Sequence, residues 1–106
     1  FLRGTPRFLS PNYEANIAIS AGFRAYAADN NVASASLAVA WLLAQGDHIL
    51  PIPGTRSVAH LNELAAARNI VVTEQMKAEI EAILPVGWAH GDRYSQAQWI
   101  GPERYC

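Results

Sequence analysis

Cysteine is almost absent from this sequence, since Cys106, the last residue, is the only one in 106. A single cysteine cannot form an internal disulfide, so we expect an exposed, inert thiol and a protein of the reducing cytoplasm. Cysteine pairs of the kind that bind zinc are also missing, and the three histidines, His48, His60 and His90, lack metal-ligand spacing. We therefore expect no metal site.

An excess of charge and a long apolar run are missing as well. Eight basic and nine acidic residues give a net charge of −1, which excludes the strong basic field of a nucleic-acid or membrane-surface protein. The longest apolar stretch, residues 37–44 (LAVAWLLA), falls well short of the roughly 20 residues that span a bilayer. Because 51% of the residues are apolar, the composition is typical of a soluble globular domain. From the low net charge and the short apolar run, we expect neither a nucleic-acid nor a membrane partner.

The spacing of apolar residues predicts four helices. Ser10 and Pro11 fit the N-cap and the first position of the first helix, and Gly46 fits the C-cap of the second. Neither residues 1–9 nor residues 85–106 have a clear period, so we predict an arm before the helices and a loop or tail after them. The approximate helix bounds are residues 12–30, 34–46, 57–68 and, after the N-cap Thr73, 74–84.

Between the second and third helices, residues 49–52 (ILPI) predict a β-strand, because this apolar run is too short for a helix and ends at Pro53 and Gly54. Strand, turn and helix together form the repeating unit of a parallel α/β fold. A lone strand, however, has no partner for its backbone N–H and C=O groups. We therefore predict that the chain belongs to a larger α/β structure whose other strands come from elsewhere.

The turn before the third helix has the components of an anion site. The first N–H groups of a helix have no partner within the helix and carry partial positive charge. Thr55 and Ser57 add hydroxyl groups there, and Arg56 adds a fixed positive charge. Phosphate is the typical ligand of such a junction. On these residues alone, an ordinary turn at Pro53 and Gly54 with a solvated Arg56 is the commoner interpretation.

Residues 36–67, SLAVAWLLAQGDHILPIPGTRSVAHLNELAAA, closely resemble the end of an aldo-keto reductase, where an apolar helix leads into the last barrel strand and a Pro-Gly-Thr-Arg turn. The GDRY of residues 91–94 also resembles that family. The resemblance implies a TIM-type (β/α)8 barrel, an α/β fold, of which this chain would supply the C-terminal third. The fragment would be mostly helical with one strand, residues 10–84 forming the barrel part between the arm and the C-terminal loop.

The resemblance also implies a nicotinamide cofactor, normally NADPH, held at this turn by its adenosine phosphate. Gly54, Thr55 and Arg56 would lie along the phosphates. Ser57 would offer its hydroxyl to the 2′-phosphate, and Glu63 would bond the adenine or its ribose.

Two neighbouring positions depart from the family pattern. His60 stands where the family usually has a basic residue, often an arginine, that packs beside the adenine and meets the 2′-phosphate. A histidine is mostly uncharged at neutral pH. Leu64 replaces an asparagine that bonds the adenine edge, and a leucine can only pack against the base. These differences leave the choice between NADPH and NADH open.

The catalytic residues of the resembled family are a tyrosine acid with a lysine, an aspartate and a histidine, all on earlier strands. This chain offers no counterpart, because Lys77, its only lysine, is predicted to face solvent. We expect no catalytic residue here and no hydride transfer by the isolated chain, whereas the parent protein would reduce aldehydes or ketones. Trp88 and Trp99 in the tail would line the substrate pocket or only anchor the tail.

Two functional hypotheses remain. The first is the cofactor-binding part of an NADPH-dependent aldo-keto reductase acting on a small carbonyl substrate. The second is a non-catalytic truncated barrel module that acts through protein contacts. The sequence begins with Phe1 rather than methionine, which favours a fragment or a processed piece. In both cases we expect a partner, either the missing N-terminal part of the barrel or a second copy.

Overall fold

The computed structural model describes residues 4–99, which form four α-helices joined by turns and coil. The helices are α1 Asn12–Asp29, α2 Ser34–Leu43, α3 Val58–Ala65 and α4 Glu74–Ile83. Short 3₁₀ segments occur at Pro6–Phe8, Ala66–Asn69 and Gln96–Gln98. The prediction of four helices is confirmed, with every bound within one helical turn. None of the helices in this part of the chain is both long and apolar enough to cross a membrane.

The helix ends follow the predicted capping residues only in part. Pro11, rather than Ser10, occupies the N-cap position of α1, and the peptide bond between these two residues is cis. Helix α2 ends before it reaches the predicted cap Gly46. Thr73 caps α4 as predicted, because its hydroxyl oxygen accepts the backbone N–H of Met76 at 3.2 Å.

The hydrophobic core lies where α1, α2 and α4 meet. Ala27 of α1, Leu37 of α2 and Ile80 of α4 form the buried cluster. Within residues 4–99, Leu37 is the only large side chain that is fully buried. Trp41 is partly buried and packs against this cluster. The core is therefore small, and its stability depends on few side chains.

Residues 49–52 do not form the predicted strand. They are non-repetitive coil in which Leu50 and Ile52 are 85% and 89% exposed, and residues 4–99 contain no strand elsewhere. A strand is stabilised by hydrogen bonds to a neighbouring strand, and this part of the chain supplies none. The apolar run that predicted a strand is thus largely exposed here.

A polar contact joins α1 to α4 beside the core. The Tyr26 hydroxyl donates to Glu79 Oε2 at 2.6 Å, and the Gln75 amide donates to Glu79 Oε1 at 2.8 Å. The hydrogen bond from Tyr26, followed by that from Gln75, lowers the pKa of Glu79. The same bond to Glu79, together with burial and the carboxylate charge, raises the pKa of Tyr26. The folded state therefore favours a charged Glu79 and a neutral Tyr26.

Replacing Tyr26 by phenylalanine should lower stability at pH 7 and flatten the dependence of stability on acidic pH. Because the pKa of Glu79 is lower in the folded state, its stabilising contribution is present above the unfolded carboxyl value of about 4.3 and is lost as pH falls through the folded value. The variant lacks the main cause of that difference. Urea unfolding at pH 7 and in acid would measure both effects. Tyr13→Phe, an exposed position on the same helix, is the control, and an equal response of both variants would contradict the prediction.

Candidate functional site

The predicted cofactor residues lie together at the start of α3. Gly54, Thr55, Arg56, Ser57 and His60 line one open depression of about 780 Å³. A smaller adjoining cleft of about 260 Å³ shares three of these residues and extends along α3 and α2. Its lining is Ala35, Gly54, Thr55, His60, Glu63 and Leu64. The structure therefore brings all six predicted cofactor residues to one place.

Two hydroxyl groups shape the turn that leads into α3. Thr55 Oγ1 accepts the Ser57 backbone N–H at 3.2 Å, and Ser57 Oγ accepts the His60 backbone N–H at 3.4 Å. Ser57 is thus the N-cap of α3, a structural role that the sequence analysis did not assign to it. The N–H groups of Val58 and Ala59 precede the first hydrogen bonds of the helix and make none within residues 4–99. These unpaired donors carry the partial positive charge of the helix start.

Arg56 supplies the full positive charge of this depression. Its side chain is exposed, and among residues 4–99 the only ion pair is the one between Lys77 and Glu74. Arg56 also makes no hydrogen bond within the same residues. Its guanidinium is therefore available to an anionic ligand.

A buried serine fixes the far end of the cleft. Ser36 of α2 is 3% exposed, and its hydroxyl donates to the Glu63 backbone oxygen at 2.6 Å. This bond ties α3 to α2 and sets the position of Glu63, whose side chain is half-buried. The role of Ser36 was not predictable from the sequence, where a serine on a mostly apolar helix is the only indication.

The residues that line the depression fit a phosphate group. A side chain built at Gly54 would meet nothing within 4 Å, so a ligand can approach the backbone closely there. Ser57 and Arg56 line that space, and their hydroxyl and guanidinium groups can donate to the acceptor oxygens of a phosphate. The Thr55 hydroxyl instead donates to the Ser57 backbone oxygen at 3.4 Å. Leu64 adds an apolar edge to the adjoining cleft, where a base could pack.

The two tail tryptophans also meet in one cavity. Trp88 and Trp99 line a space of about 600 Å³ together with Arg7 and Arg93. Trp99 packs edge-to-face on Tyr94, with ring centroids 5.3 Å apart and an interplanar angle of 79°. The Arg93 guanidinium lies 5.4 Å from the centre of the same Tyr94 ring. Trp99 thus lines the cavity and packs on another residue of the tail.

Lys77 does not point freely into solvent as predicted. Its ammonium group bonds Glu74 Oε1 at 2.7 Å, and only 24% of its side chain is exposed. The two residues are neighbours on α4 because they are three positions apart. Lys77 is therefore held in an ion pair on the surface of its own helix.

Titratable side chains do not cluster in the way that a metal site requires. In the part of the chain that the structure describes, no three histidine, aspartate or glutamate side chains lie close enough to hold a metal ion. Cys106 lies outside the described residues, so its predicted exposure has no structural counterpart here.

A basic turn at the start of a helix is a common anion-binding element of proteins. The sequence pattern of the aldo/keto reductase family matches residues 3–85. The chain belongs to the aldo/keto reductase family, whose fold is a (β/α)8 barrel.

Individual relatives agree with this assignment. "Aldo-keto reductase yakc [NADP(+)]" from Schizosaccharomyces pombe is 36% identical over 94 residues, which cover 89% of this chain and 28% of that protein. "Probable aldo-keto reductase 1" from Glycine max is 33% identical over 93 residues, covering 88% of this chain and 27% of that protein. The chain thus spans little more than a quarter of the length of these relatives. No solved structure matches it.

Proposed function

We propose that this chain is the cofactor-binding C-terminal part of an NADPH-dependent aldo-keto reductase that reduces aldehydes or ketones to alcohols. The observation that carries the proposal is the convergence of Gly54, Thr55, Arg56, Ser57 and His60 on one open depression at the start of α3. The presence of NADP(+) in the name of the Schizosaccharomyces pombe relative is consistent with it.

Each residue has a separate task in this proposal. Arg56 pairs with a phosphate of the cofactor, and the exposed N–H groups at the start of α3 add further donors. Ser57 caps α3 through its oxygen and keeps its own proton for the 2′-phosphate. Glu63 meets the ribose or the adenine, and the Ser36 bond to its backbone oxygen supports this role by tying this part of α3 to α2. The cofactor, when bound, supplies the hydride.

His60 would modulate the choice between NADPH and NADH. It lines both the depression and the adjoining cleft, at the position where the family usually has a basic residue. A neutral imidazole donates a hydrogen bond to a phosphate but adds no charge. We propose that Arg56 provides most of the electrostatic attraction to the phosphates.

The rest of the barrel would complete both the fold and the catalytic site. Leu50, Ile52 and Val71 are 85%, 89% and 82% exposed, which is unusual for large apolar side chains in a finished domain. We propose that the N-terminal part of the barrel covers these residues and supplies the tyrosine, lysine, aspartate and histidine of catalysis.

The same exposed residues favour a second candidate function. A truncated barrel module with this apolar surface could act through contacts with another protein or with a second copy of itself. In that function the depression at α3 would have no ligand to bind, and Arg56 would be a solvated surface charge.

Oxidation of NADPH by a panel of aldehydes and ketones, followed by absorbance, would test the proposal. We expect turnover by the complete protein and none by the 106-residue chain, because the chain lacks the proton donor. Turnover by the pure chain would contradict the assignment of catalysis to the missing part. Inactivity of the complete protein together with no binding of NADPH would favour the interaction module instead.

A further inference from the structure

The arm before α1 and the segment after α4 touch each other although they are distant in sequence. Arg7 Nε donates to the Gly91 backbone oxygen at 3.0 Å, and these residues are 84 positions apart. We call residues 87–91 the tail turn. Its contact with the described part of the arm, residues 4–9, is the arm–tail contact.

Asn16 of α1 joins the two sides of this contact. Its amide nitrogen donates to the Arg7 backbone oxygen at 3.1 Å and to the His90 backbone oxygen at 3.0 Å. Its amide oxygen accepts the His90 backbone N–H at 2.7 Å. One side chain therefore makes three hydrogen bonds to backbone groups on two segments. Such bonds fix both segments relative to α1.

Asn12 lies one turn earlier on the same face of α1 and contacts the arm. Its amide nitrogen donates to the Pro6 backbone oxygen at 3.1 Å. Residues four positions apart are neighbours on a helix, so the two asparagines form a polar strip under the arm–tail contact. Their spacing was visible in the sequence, but nothing in it indicated which segments they would bond.

Gly91 allows the close approach of the tail turn to this strip. Its φ angle is +83°, and a Cβ at this position would lie 2.6 Å from Asn12 Nδ2 and 3.1 Å from the Pro6 carbonyl carbon. A side chain would therefore be strained by the backbone angle and would also collide with the arm. A glycine at position 91 is therefore what allows the tail turn to pack against the arm.

The arm–tail contact joins segments that line the cavity of about 600 Å³ around Trp88 and Trp99, which we call the tryptophan cavity. Trp88 belongs to the tail turn, and Arg7 belongs to the arm; both line the cavity that also includes Trp99. Trp88 lines a second, smaller cavity with Asn16 itself. A change at Asn16 is therefore transmitted to Trp88 and Arg7 through the backbone of both segments.

We propose that Asn16 is a positioning residue for the substrate pocket, which ties the arm to the tail turn and so holds Arg7 and Trp88 against a carbonyl substrate. This inference rests on the proposed function, because it assigns the tryptophan cavity to the substrate. Asn16 itself touches neither substrate nor cofactor. Its effect should appear in substrate affinity rather than in cofactor affinity.

Hydrogen exchange of the complete protein would test the contact without any substrate. In Asn16→Ala, exchange in residues 87–91 should be about tenfold faster, the factor expected for loss of a hydrogen bond. Asn16→Asp retains an acceptor for the His90 N–H but places carboxylate oxygens against two carbonyl oxygens, so it should not restore protection. Asn30→Ala is the matched control, because the side-chain amide of Asn30, at the C-cap of α1, donates to the Tyr26 backbone oxygen and contacts neither the arm nor the tail turn. Unchanged exchange in Asn16→Ala would overturn the proposal.

Steady-state kinetics of the same variants would test the positioning role. We expect Asn16→Ala to raise KM for carbonyl substrates about tenfold while kcat and the NADPH dissociation constant stay close to those of the parent. Faster exchange with an unchanged KM would reduce Asn16 to a structural residue and overturn the role. A parent protein without turnover would overturn the proposed function and this role together. The exchange data would then show that the failure lies in the function and not in the contact.

Discussion

Leu37→Ala should lower the free energy of unfolding by about 2–5 kcal/mol, the range for removing a buried leucine side chain. Leu37 of α2 is fully buried where α2 packs against α1 and α4. Because the core contains few buried side chains, little neighbouring material is available to fill the cavity that the substitution leaves. Urea unfolding followed by circular dichroism would measure the loss as a lower midpoint at an unchanged slope.

Leu61→Ala is the matched control for this prediction. Leu61 is 54% exposed on α3, and substitutions at exposed positions usually change stability by about 0.5 kcal/mol or less. Equal losses in the two variants would show that the described core does not hold the helices together. A loss at Leu37 that also abolished the cooperative transition would still identify this residue as the centre of the core.

Arg56→Ala should weaken NADPH binding by about 1–3 kcal/mol, which corresponds to about a 5- to 150-fold rise in the dissociation constant. The physical reason is the loss of a charge-assisted hydrogen bond from an exposed guanidinium that has no partner within residues 4–99. Fold stability should change little, since no contact within these residues is lost. A fluorescence titration of the complete protein with NADPH would measure the effect, and a smaller effect is expected at high salt.

Arg68→Ala provides a control with the same change of charge. Arg68 is exposed in the 3₁₀ segment after α3 and does not line the depression. Equal weakening by the two variants would indicate a general effect of net charge. If Arg56→Ala and the parent bind NADPH equally well, Arg56 is only a solvated surface charge. A parallel titration with NADH separates the 2′-phosphate, which only NADPH carries, from the phosphates that both cofactors share.

Local interactions account for what could be predicted from the sequence. The four helices were predictable because apolar residues recur at three- and four-residue spacing, and the Thr73 cap because capping depends on residues only three positions apart. The depression at α3 was predictable for the same reason, since Gly54, Thr55, Arg56 and Ser57 are consecutive and His60 and Glu63 follow within two turns of helix. The residues alone did not decide between an anion site and an ordinary turn, and the expectation of a nicotinamide cofactor came from the family resemblance.

Contacts between distant residues were not predictable. Nothing in the spacing of Ser36 indicated its bond to Glu63, and nothing near Asn16 indicated His90. The predicted strand at residues 49–52 is not formed, for a related reason. Its apolar pattern is local, but a strand is stable only when a neighbouring strand supplies partners for its backbone hydrogen bonds.

The sequence by itself thus determined the helices, the cap at Thr73, the basic turn and the family, because these depend on neighbouring residues or on a continuous match. Only the tertiary structure decided which helices share a core, that Tyr26 meets Glu79, and that the arm closes on the tail turn. Those contacts depend on the relative placement of segments far apart along the chain, and that placement follows from the packing of the whole rather than from any one segment.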